Sequence, residues 1–503
     1  CTIDVSNITY TLTGDIEPAA GTRGIEFTID ADSNTLNLTG DITTSGANGD
    51  GLFIDRSDSN TINMIGNIVN TAAVGEFQQA ILLSNSDSNT ITLTGNIIRS
   101  NDGEAALNLS DSDSNKITIN GTTTKIGAAV AYSFANSSNN NLTINGDISS
   151  LADGAHVFSL TTTSTNNLIT MTGDISTAGD GARAIWLSSA DATNNNTFVT
   201  TGNITTTGEG AVAIQIESNN NTINHTGNIT TTGEGASYAV WTNGGSGNNL
   251  NITGDITTSG FMGYGYLFQN TTGNTLTMSG DISTSGSSAQ GLDFSLGASN
   301  NTVIMTGDIT TTGIVSAALR NISSDSNTIT ITGNLSTSES GSHAYSVFDG
   351  DSNTTTINGN LSTTGLVGSH GIWISGTESS NFNTTTINGN ITTTGESYGI
   401  YVQDSTNNIT TVTGNIITSG TGGNAEPVLL ENSDSNTFTL SGAVHSLGGD
   451  QAIAVDATSQ NNTFTFKRGV SFIGGLENNG GSTNKLIFDM GKASSYNLDF
   501  DDT

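Results

Sequence analysis

The sequence predicts an all-β fold, a right-handed parallel β-helix (β-solenoid) of about 17–19 coils with roughly 26–27 residues and three short strands in each coil. Two observations carry this prediction. A four-residue mark, TGDI or TGNI or a close variant, recurs 17 times between Gly14 and Gly442. Helix-forming residues are scarce and β-formers are plentiful, and Ile and Leu recur at fixed offsets, which a disordered chain has no reason to preserve.

The first strand of each coil precedes the marker glycine. Apolar residues lie four and two positions before this glycine and two after it, as with Leu36, Leu38 and Ile42 around Gly40. This period of two predicts a strand with one face inward. We expect the glycine itself to occupy an inward position where the chain turns a corner and leaves no room for a side chain.

Two further strands complete the coil. A segment of the form (D/N)ITTTG follows the glycine, and an A-x-A-I-x-L-like run follows about a dozen residues later, as at Ile185 and Leu187. All insertions fall between a glycine and the next asparagine, which is typical of stacked coils with loops on one side. Because like positions recur from coil to coil, we expect each strand to pair in parallel with its own copy.

An asparagine lies six positions before the marker glycine in all repeats but the first. Stacked at the spacing of parallel strands, about 4.8 Å, such side chains are expected to hydrogen-bond amide to carbonyl as a structural ladder. A simple preference of Asn for turns is the alternative, and the two are compatible. These residues are Asn34, Asn60, Asn89, Asn115, Asn140, Asn167, Asn196, Asn221, Asn248, Asn274, Asn301, Asn327, Asn353, Asn383, Asn408 and Asn436.

Seven aspartates lie eight positions before a marker, and Asp32, Asp58, Asp87 and Asp113 come from consecutive coils. Stacked about 5 Å apart, they would repel one another, so the column must extend into solvent, be screened by salt or hold a cation. Calcium is the cation that such oxygen ligands favour. Solvated turn aspartates are the main alternative, since the dense Asp-Gly repeat of calcium solenoids is absent. No other cofactor is expected.

The chain has a net charge of −34 and no basic cluster longer than Lys467-Arg468. Such a surface repels phosphate backbones and anionic membranes, which excludes nucleic-acid binding. No apolar run approaches the roughly 18 residues of a membrane-spanning helix, so direct membrane insertion is not expected.

The repeat units SNTITLTGNI and TGNITTTGEGA and the late segment GGSTNKLIFDMG resemble the passenger domains of bacterial autotransporters, which are right-handed parallel β-helices. The resemblance covers nearly the whole chain. It implies an extracellular or outer-cell-surface protein, here expected without its translocator barrel. Asn/Thr/Gly-rich β-repeats also occur in phage fibres, which remain an alternative.

No catalytic site is predicted. The arginines are scattered over distant coils, and the five histidines are mostly coils apart, although His343 and His370 lie in neighbouring repeats. A polysaccharide-degrading enzyme is the catalytic alternative, and it would need a cleft of convergent acids and bases.

Aromatic residues from neighbouring coils offer a binding hypothesis. If some of them point outward, they form flat platforms that suit sugar rings, so we expect a glycan or another cell-surface ligand. Filling of the interior is the alternative. The candidates are Tyr238, Trp241, Tyr264, Tyr266, Trp373, Tyr398 and Tyr401.

The repeats are regular over residues 1–455, whereas residues 456–503 carry Phe464, Phe466, Phe472, Phe488 and Phe500 in place of Ile and Leu. We expect irregular coils there that form a cap or an assembly end. The predicted function is a structural or adhesive extracellular rod, with head-to-tail association into a fibre as one expected partner interaction.

Overall fold

The computed structural model describes residues 1–71, 78–99, 105–188, 194–377, 380–421, 423–480 and 483–491. It confirms the predicted fold class: the described residues form a β-solenoid of about 18 turns, with three strands in each coil, three parallel sheets and no helix. In this part of the chain, accordingly, no helix is long and apolar enough to cross a membrane. The chain divides into two compact units, Cys1–Gly254 and Asp255–Thr503.

The first sheet contains the strands that precede the marker glycines. Its strands pair in parallel and in exact copy-to-copy register, as with Ile91, Ile117 and Leu142 in successive coils. The strands of the first unit are Thr9–Thr13, Thr35–Thr39, Thr61–Ile65, Thr90–Thr94, Lys116–Asn120, Asn141–Asn145, Leu168–Thr172, Thr197–Thr201, Thr222–Thr226 and Asn249–Thr253. Those of the second unit are Thr275–Ser279, Thr302–Thr306, Thr328–Thr332, Thr354–Asn358, Thr384–Ile387, Ile409–Val412, Thr437–Leu440, Thr463–Lys467 and Lys485–Asp489.

The second sheet contains the short strands that follow the marker. Its first residue is a buried apolar residue in most coils, with Thr123 and Ser471 among the exceptions, and its third is a buried polar residue in most coils. The strands of the first unit are Ile42–Thr44, Ile68–Asn70, Ile97–Arg99, Thr123–Lys125, Ile148–Ser150, Ile175–Thr177, Ile204–Thr206 and Ile229–Thr231. Those of the second unit are Ile256–Thr258, Ile282–Thr284, Ile309–Thr311, Leu335–Thr337, Leu361–Thr363, Ile391–Thr393, Ile416–Thr418, Ala443–Ser446 and Ser471–Ile473.

The third sheet contains the A-x-A-I-x-L-like runs. The strands of the first unit are Thr2–Ile3, Ile25–Phe27, Leu52–Asp55, Ile81–Ser84, Leu107–Ser110, Tyr132–Ala135, Phe158–Thr161, Arg183–Leu187, Val212–Ile216 and Val240–Asn243. Those of the second unit are Tyr266–Gln269, Leu292–Ser295, Leu319–Ile322, Tyr345–Phe348, Ile372–Ser375, Ile400–Gln403, Val428–Glu431, Ile453–Val455 and Leu476–Asn478.

The interior of each unit is a continuous apolar column. Leu36, Leu38 and Ile42 are each no more than 2% exposed, whereas Thr35 and Asn37, which alternate with the two leucines, are partly exposed. The period-two prediction is therefore correct. Burial of these side chains is the main favourable contribution to folding, at about 25 cal/mol for each Å² of apolar surface.

The marker glycine is required for a reason other than the one predicted. Gly40 and Gly307 have φ values of +146° and +144°, which L side chains rarely adopt. A Cβ on Gly307 would lie 2.0 Å from the carbonyl oxygen of Gly280, and one on Gly40 would lie 2.2 Å from that of Gly14. The restriction thus comes from the backbone of the preceding coil and not from the interior.

The last described coils contain the phenylalanines noted in the sequence. Phe464 and Phe466 are buried, and Phe466 contacts Phe472 edge to face at 5.0 Å between ring centroids. Phe488 is 36% exposed. Lys492 and Phe500 lie outside the described residues, and the boundary at residue 455 stays a prediction.

Candidate ligand-binding face

The asparagines before the first-sheet strands are buried and hydrogen-bonded between coils. Asn140 is typical: its Oδ1 accepts from the backbone N–H and the Nδ2 of Asn115, at 2.8 and 3.1 Å. Its own Nδ2 donates to Asn167 Oδ1 at 3.1 Å and to the Ser112 carbonyl at 2.9 Å. The same side-chain pairing to the next coil occurs at Asn60, Asn115, Asn167, Asn196, Asn221, Asn274, Asn301, Asn327, Asn353, Asn383, Asn408 and Asn436.

Asn34 and Asn89 show a different side-chain pattern, and the Nδ2 of Asn248 donates to the Ser218 carbonyl at 2.9 Å. Asn34 donates its Nδ2 to the Val5 and Ala31 carbonyls, and Asn89 donates to the Ser57 and Asp87 carbonyls. In both, the backbone N–H still donates to the Oδ1 of the next coil's asparagine. The side-chain carbonyl therefore serves mainly to satisfy a buried backbone donor at the corner, which sequence reasoning did not predict.

The aspartate column is held by the backbone. The N–H of Asp58 donates to Asp32 Oδ1, that of Asp87 to Asp58 Oδ1 and that of Asp113 to Asp87 Oδ1, each at 2.7 Å. Within the described ranges, no group of three or more His, Cys, Asp or Glu side chains is arranged to hold a metal ion. The stacked carboxylates are thus compensated by amide dipoles, an arrangement not among those considered from the sequence.

Similar ladders run along other corner positions that sequence reasoning did not single out. An Asp or Asn follows most of the marker glycines, and its side chain accepts the N–H of the next coil, as Asp281 Oδ1 does from Asp308 at 2.8 Å. The serine nine positions before a marker accepts an N–H from the preceding coil instead. Ser112 Oγ, for example, accepts the Ser86 N–H at 3.0 Å. The residues that recur at fixed positions of the repeat therefore form hydrogen bonds between coils.

The predicted aromatic platform residues do not share one environment. Tyr238 and Trp241 in the first unit are partly exposed and contact each other edge to face, with ring centroids 5.3 Å apart. Tyr266, named as a platform candidate, follows the interior alternative instead. It is fully buried because its position alternates inward, and its ring stacks on Phe268 with centroids 4.2 Å apart. Tyr264 is 7% exposed and contacts Arg320.

In the second unit, the outer face of the third sheet brings together the remaining candidates. His343, His370 and Tyr398 stack in successive coils, with ring centroids 5.1 and 4.9 Å apart and nearly parallel planes. Trp373 and Tyr401 are register partners on adjacent strands beside this stack. We call these five residues the aromatic face. All except the histidines were predicted as ligand-binding residues.

The two histidines of the aromatic face are held neutral. His343 Nδ1 accepts the N–H of His370 at 3.2 Å, and His370 Nδ1 accepts that of Tyr398 at 3.0 Å. Burial lowers the pKa of His343 to about 4. Burial, together with the neighbouring His343, lowers the pKa of His370 well below its usual value.

Acidic groups lie at one end of the aromatic face. The Tyr401 hydroxyl donates to Glu431 Oε2, and burial together with this carboxylate raises the pKa of Tyr401. Burial and nearby carboxylates raise the pKa of Tyr398 to about 12. Glu426 also has a raised pKa, first because of burial and then because of Asp450 and other acids. This end of the face favours neutral occupants over anions.

At the other end, a cleft of about 260 Å³ opens beside Trp373. Val315, Ala317, Gly341, His343 and Phe348 contribute to its lining. Arg320 also lines the cleft and forms a two-point ion pair with Asp293, Nε to Oδ1 at 2.6 Å and Nη2 to Oδ2 at 3.1 Å. Burial by itself would lower the pKa of Arg320, but the charge and hydrogen bonds of Asp293 raise it.

A sequence signal for the histidines exists in retrospect. In the sequence, each stacked ring residue has a small residue on either side, and an apolar residue follows the second small residue. Examples are Ser342-His343-Ala344-Tyr345 and Ser369-His370-Gly371-Ile372. A Cβ on Gly371 would lie 2.4 Å from Ile391 Cγ2, so the small residues reflect close coil contact. Variable loop lengths conceal the alignment when positions are counted from the marker glycines.

Comparison of the chain with protein-family models, with curated proteins and with solved structures found no match.

Proposed function

We propose that this chain is an adhesive β-solenoid of an outer cell surface that binds glycans through the aromatic face. The observation that carries the proposal is the run of aromatic and imidazole rings from three successive coils, side by side on one partly exposed sheet face. The rings of His343, His370 and Tyr398 turn their faces to one another within the stack. The surfaces offered to sugar rings are therefore those of Trp373 and Tyr401, which lie beside the stack on adjacent strands. The strongly acidic composition and the Thr/Asn-rich surface support an extracellular, glycan-facing role.

The proposed role is binding and not catalysis. The histidines of the aromatic face use Nδ1 to accept main-chain N–H groups, and their low pKa values make them weak bases near neutral pH. Arg320, which lines the cleft beside the face, is paired with Asp293. These features suit a preformed binding surface whose side chains are already positioned by the stack.

A printed glycan array tests the proposal, with the purified chain at physiological salt. We expect binding to a subset of oligosaccharides and a loss of about tenfold or more in the Tyr401→Ala variant, because one stacking surface and its hydrogen bond to Glu431 are removed. The matched control is Trp186→Ala, which removes an outward aromatic residue at the equivalent strand position of the first unit. Absence of binding to every glycan, or equal losses in both variants, would refute the proposal.

A further inference from the structure

The cleft beside Trp373 has the size and lining of a site for one sugar ring. Its volume of about 260 Å³ lies just below the roughly 300–1,000 Å³ typical of sites for drug-sized ligands, which suits a single ring unit. Val315, Ala317 and Gly341 supply apolar or side-chain-free surface. Trp373 and His343 supply ring surfaces, with their centroids 4.8 Å apart.

The polar groups of the cleft are largely committed to the protein. Gln290 donates its Nε2 to the Ser288 and Val315 carbonyls, both at 3.2 Å, and its Oε1 accepts the Ala317 N–H. Arg320 donates through Nε and Nη2 to Asp293, and through Nη2 also to the Tyr264 hydroxyl at 3.3 Å. Its Nη1 has no hydrogen bond to any residue that the structure describes. Nη1 therefore leaves a two-proton donor group for a ligand, and the buried Nε1 of Trp373 also has no partner among the described residues.

The charge of the cleft is balanced. The Asp293 side chain is completely buried and pairs with the guanidinium at two points, so little positive potential remains for an anion. His343 is neutral near pH 7 because burial lowers its pKa to about 4. The rest of the chain is strongly acidic. An acidic sugar would therefore enter a site without a free counter-charge, at an electrostatic cost.

We propose that this cleft binds one neutral pyranose ring of the glycan, with the ring stacked against Trp373 and a ring hydroxyl accepting a hydrogen bond from Arg320 Nη1. The proposal rests on the proposed glycan-binding function and adds the charge class of the sugar. Sialic and uronic acids are excluded from the cleft because Asp293 already neutralises its arginine. A hydroxyl needs only a hydrogen-bond donor, which Nη1 supplies without a net charge.

The test compares matched neutral and acidic glycans on the unmodified chain. N-acetyllactosamine and uncharged hexose oligosaccharides are printed beside their sialylated and uronic-acid counterparts, and binding is measured at physiological salt. We expect the acidic counterpart of each bound glycan to bind at least about tenfold more weakly. Equal or tighter binding of the acidic forms overturns the neutral-sugar proposal while leaving the glycan-binding function intact. Binding to no glycan refutes the function itself.

Two variants locate the effect in the cleft. Trp373→Ala should weaken binding of neutral glycans about tenfold, whereas Trp186→Ala should not change it. Asp293→Asn leaves the Arg320 charge uncompensated and should narrow the gap between acidic and neutral glycans by about threefold or more. Thermal melts establish that each variant is folded. An unchanged gap in folded Asp293→Asn, or unchanged affinity in Trp373→Ala, contradicts the assignment to this cleft.

Discussion

The corner before each first-sheet strand and the aromatic face of the second unit use polar side chains in different ways. At the corner, Asn, Asp and Ser repeat in coil after coil, and each accepts an N–H from its neighbouring copy. On the aromatic face the residues change from coil to coil, and their rings and charges lie beside a cleft. Repetition in this chain therefore indicates contacts between stacked coils, whereas an outward residue that breaks the repeat is a candidate for recognition.

The greatest loss of stability is expected from a substitution at a marker glycine, which disrupts the contact between stacked coils. A Gly307→Ala substitution places Cβ 2.0 Å from the Gly280 carbonyl oxygen at a φ of +144°. Because neither backbone can move without its own neighbours, we expect a loss of about 4 kcal/mol or more in the free energy of unfolding. Denaturant melts measure it. Gly297→Ala is the control, since its φ is +83° but its Cβ would meet nothing within 4 Å, and it should cost only about 1–2 kcal/mol. Equal costs would refute the role assigned to coil contact.

The second effect concerns the aromatic face and pH. The pKa of His343 is lowered from 6.5 to about 4, so the unfolded chain takes up a proton between these values while the folded chain does not. Stability is therefore fully present above pH 6.5 and decreases as the pH falls to about 4. The loss for His343 is about 3 kcal/mol.

This pH dependence is measured by denaturant melts from pH 7 to pH 4 on the unmodified chain and on His343→Asn/His370→Asn. The asparagine amide can still accept a hydrogen bond but does not titrate, so the double variant should lose less stability over this range. The comparison is necessary because burial also lowers the pKa values of His156 and His225 to about 4. Parallel pH profiles for the two proteins would show that the stacked histidines do not contribute.

A third prediction concerns the contribution of the asparagine ladder to stability. Asn301 accepts from the backbone N–H and Nδ2 of Asn274 and donates to Asn327 and to the Thr271 carbonyl. Its replacement by Ala leaves buried partners unsatisfied and should cost about 1–3 kcal/mol. Asn388→Ala removes an exposed asparagine that donates to Asn358, and it should cost less than about 0.5 kcal/mol. Similar costs in denaturant melts would contradict the distinction between the buried ladder and the exposed pairs.

A fourth prediction is a substitution that increases the stability of the chain. Asn321 points into the core between its register partners Phe294 and Val347, and neither its Oδ1 nor its Nδ2 has a hydrogen-bond partner among the described residues. Asn321→Leu should therefore stabilise the chain by about 1 kcal/mol, because burial of an unpaired amide is removed. Asn327→Leu, six residues later in the ladder, should destabilise it. Destabilisation by both, in thermal melts, would indicate that Asn321 has a partner in solution.

These two asparagines also show how far the sequence can predict the structure. Spacing alone identified the coil, the three strands and the inward positions, because a fixed period leaves few ways to stack. It could not distinguish a hydrogen-bonded asparagine such as Asn327 from an unpaired one such as Asn321, since that depends on the groups in the neighbouring coils. Nor could it reveal that the aspartate carboxylates accept backbone N–H groups.

The aromatic face was predictable only in part. Trp373, Tyr398 and Tyr401 were found because aromatic residues are rare in this chain and fall in neighbouring coils. The interior position of Tyr266 was not predicted, because its direction depends on strand alternation, which variable loops shift by a residue or two. The Arg320–Asp293 pair was not predicted, because its members are 27 residues apart and variable loop lengths conceal that they are register partners.

The last prediction concerns the aspartate column, where two sets of variants distinguish the effect of charge on the melting midpoint from the effect of hydrogen bonding. Asp58 and Asp87 each accept a backbone N–H, and their carboxylates repel by roughly 1 kcal/mol or less in water. Asp58→Asn/Asp87→Asn keeps an acceptor oxygen and removes the repulsion, so the melting midpoint should rise slightly at low ionic strength. The rise should vanish at about 1 M salt, where the screening length is about 3 Å. Asp58→Ala/Asp87→Ala lacks the acceptor and should lower the midpoint at every salt concentration.

Calcium against chelator at fixed ionic strength should not shift the midpoint of the unmodified chain, because the Oδ1 atoms of this column are already bound to backbone N–H groups. A calcium-dependent rise that disappears in the asparagine variant would instead place a metal ion in the column.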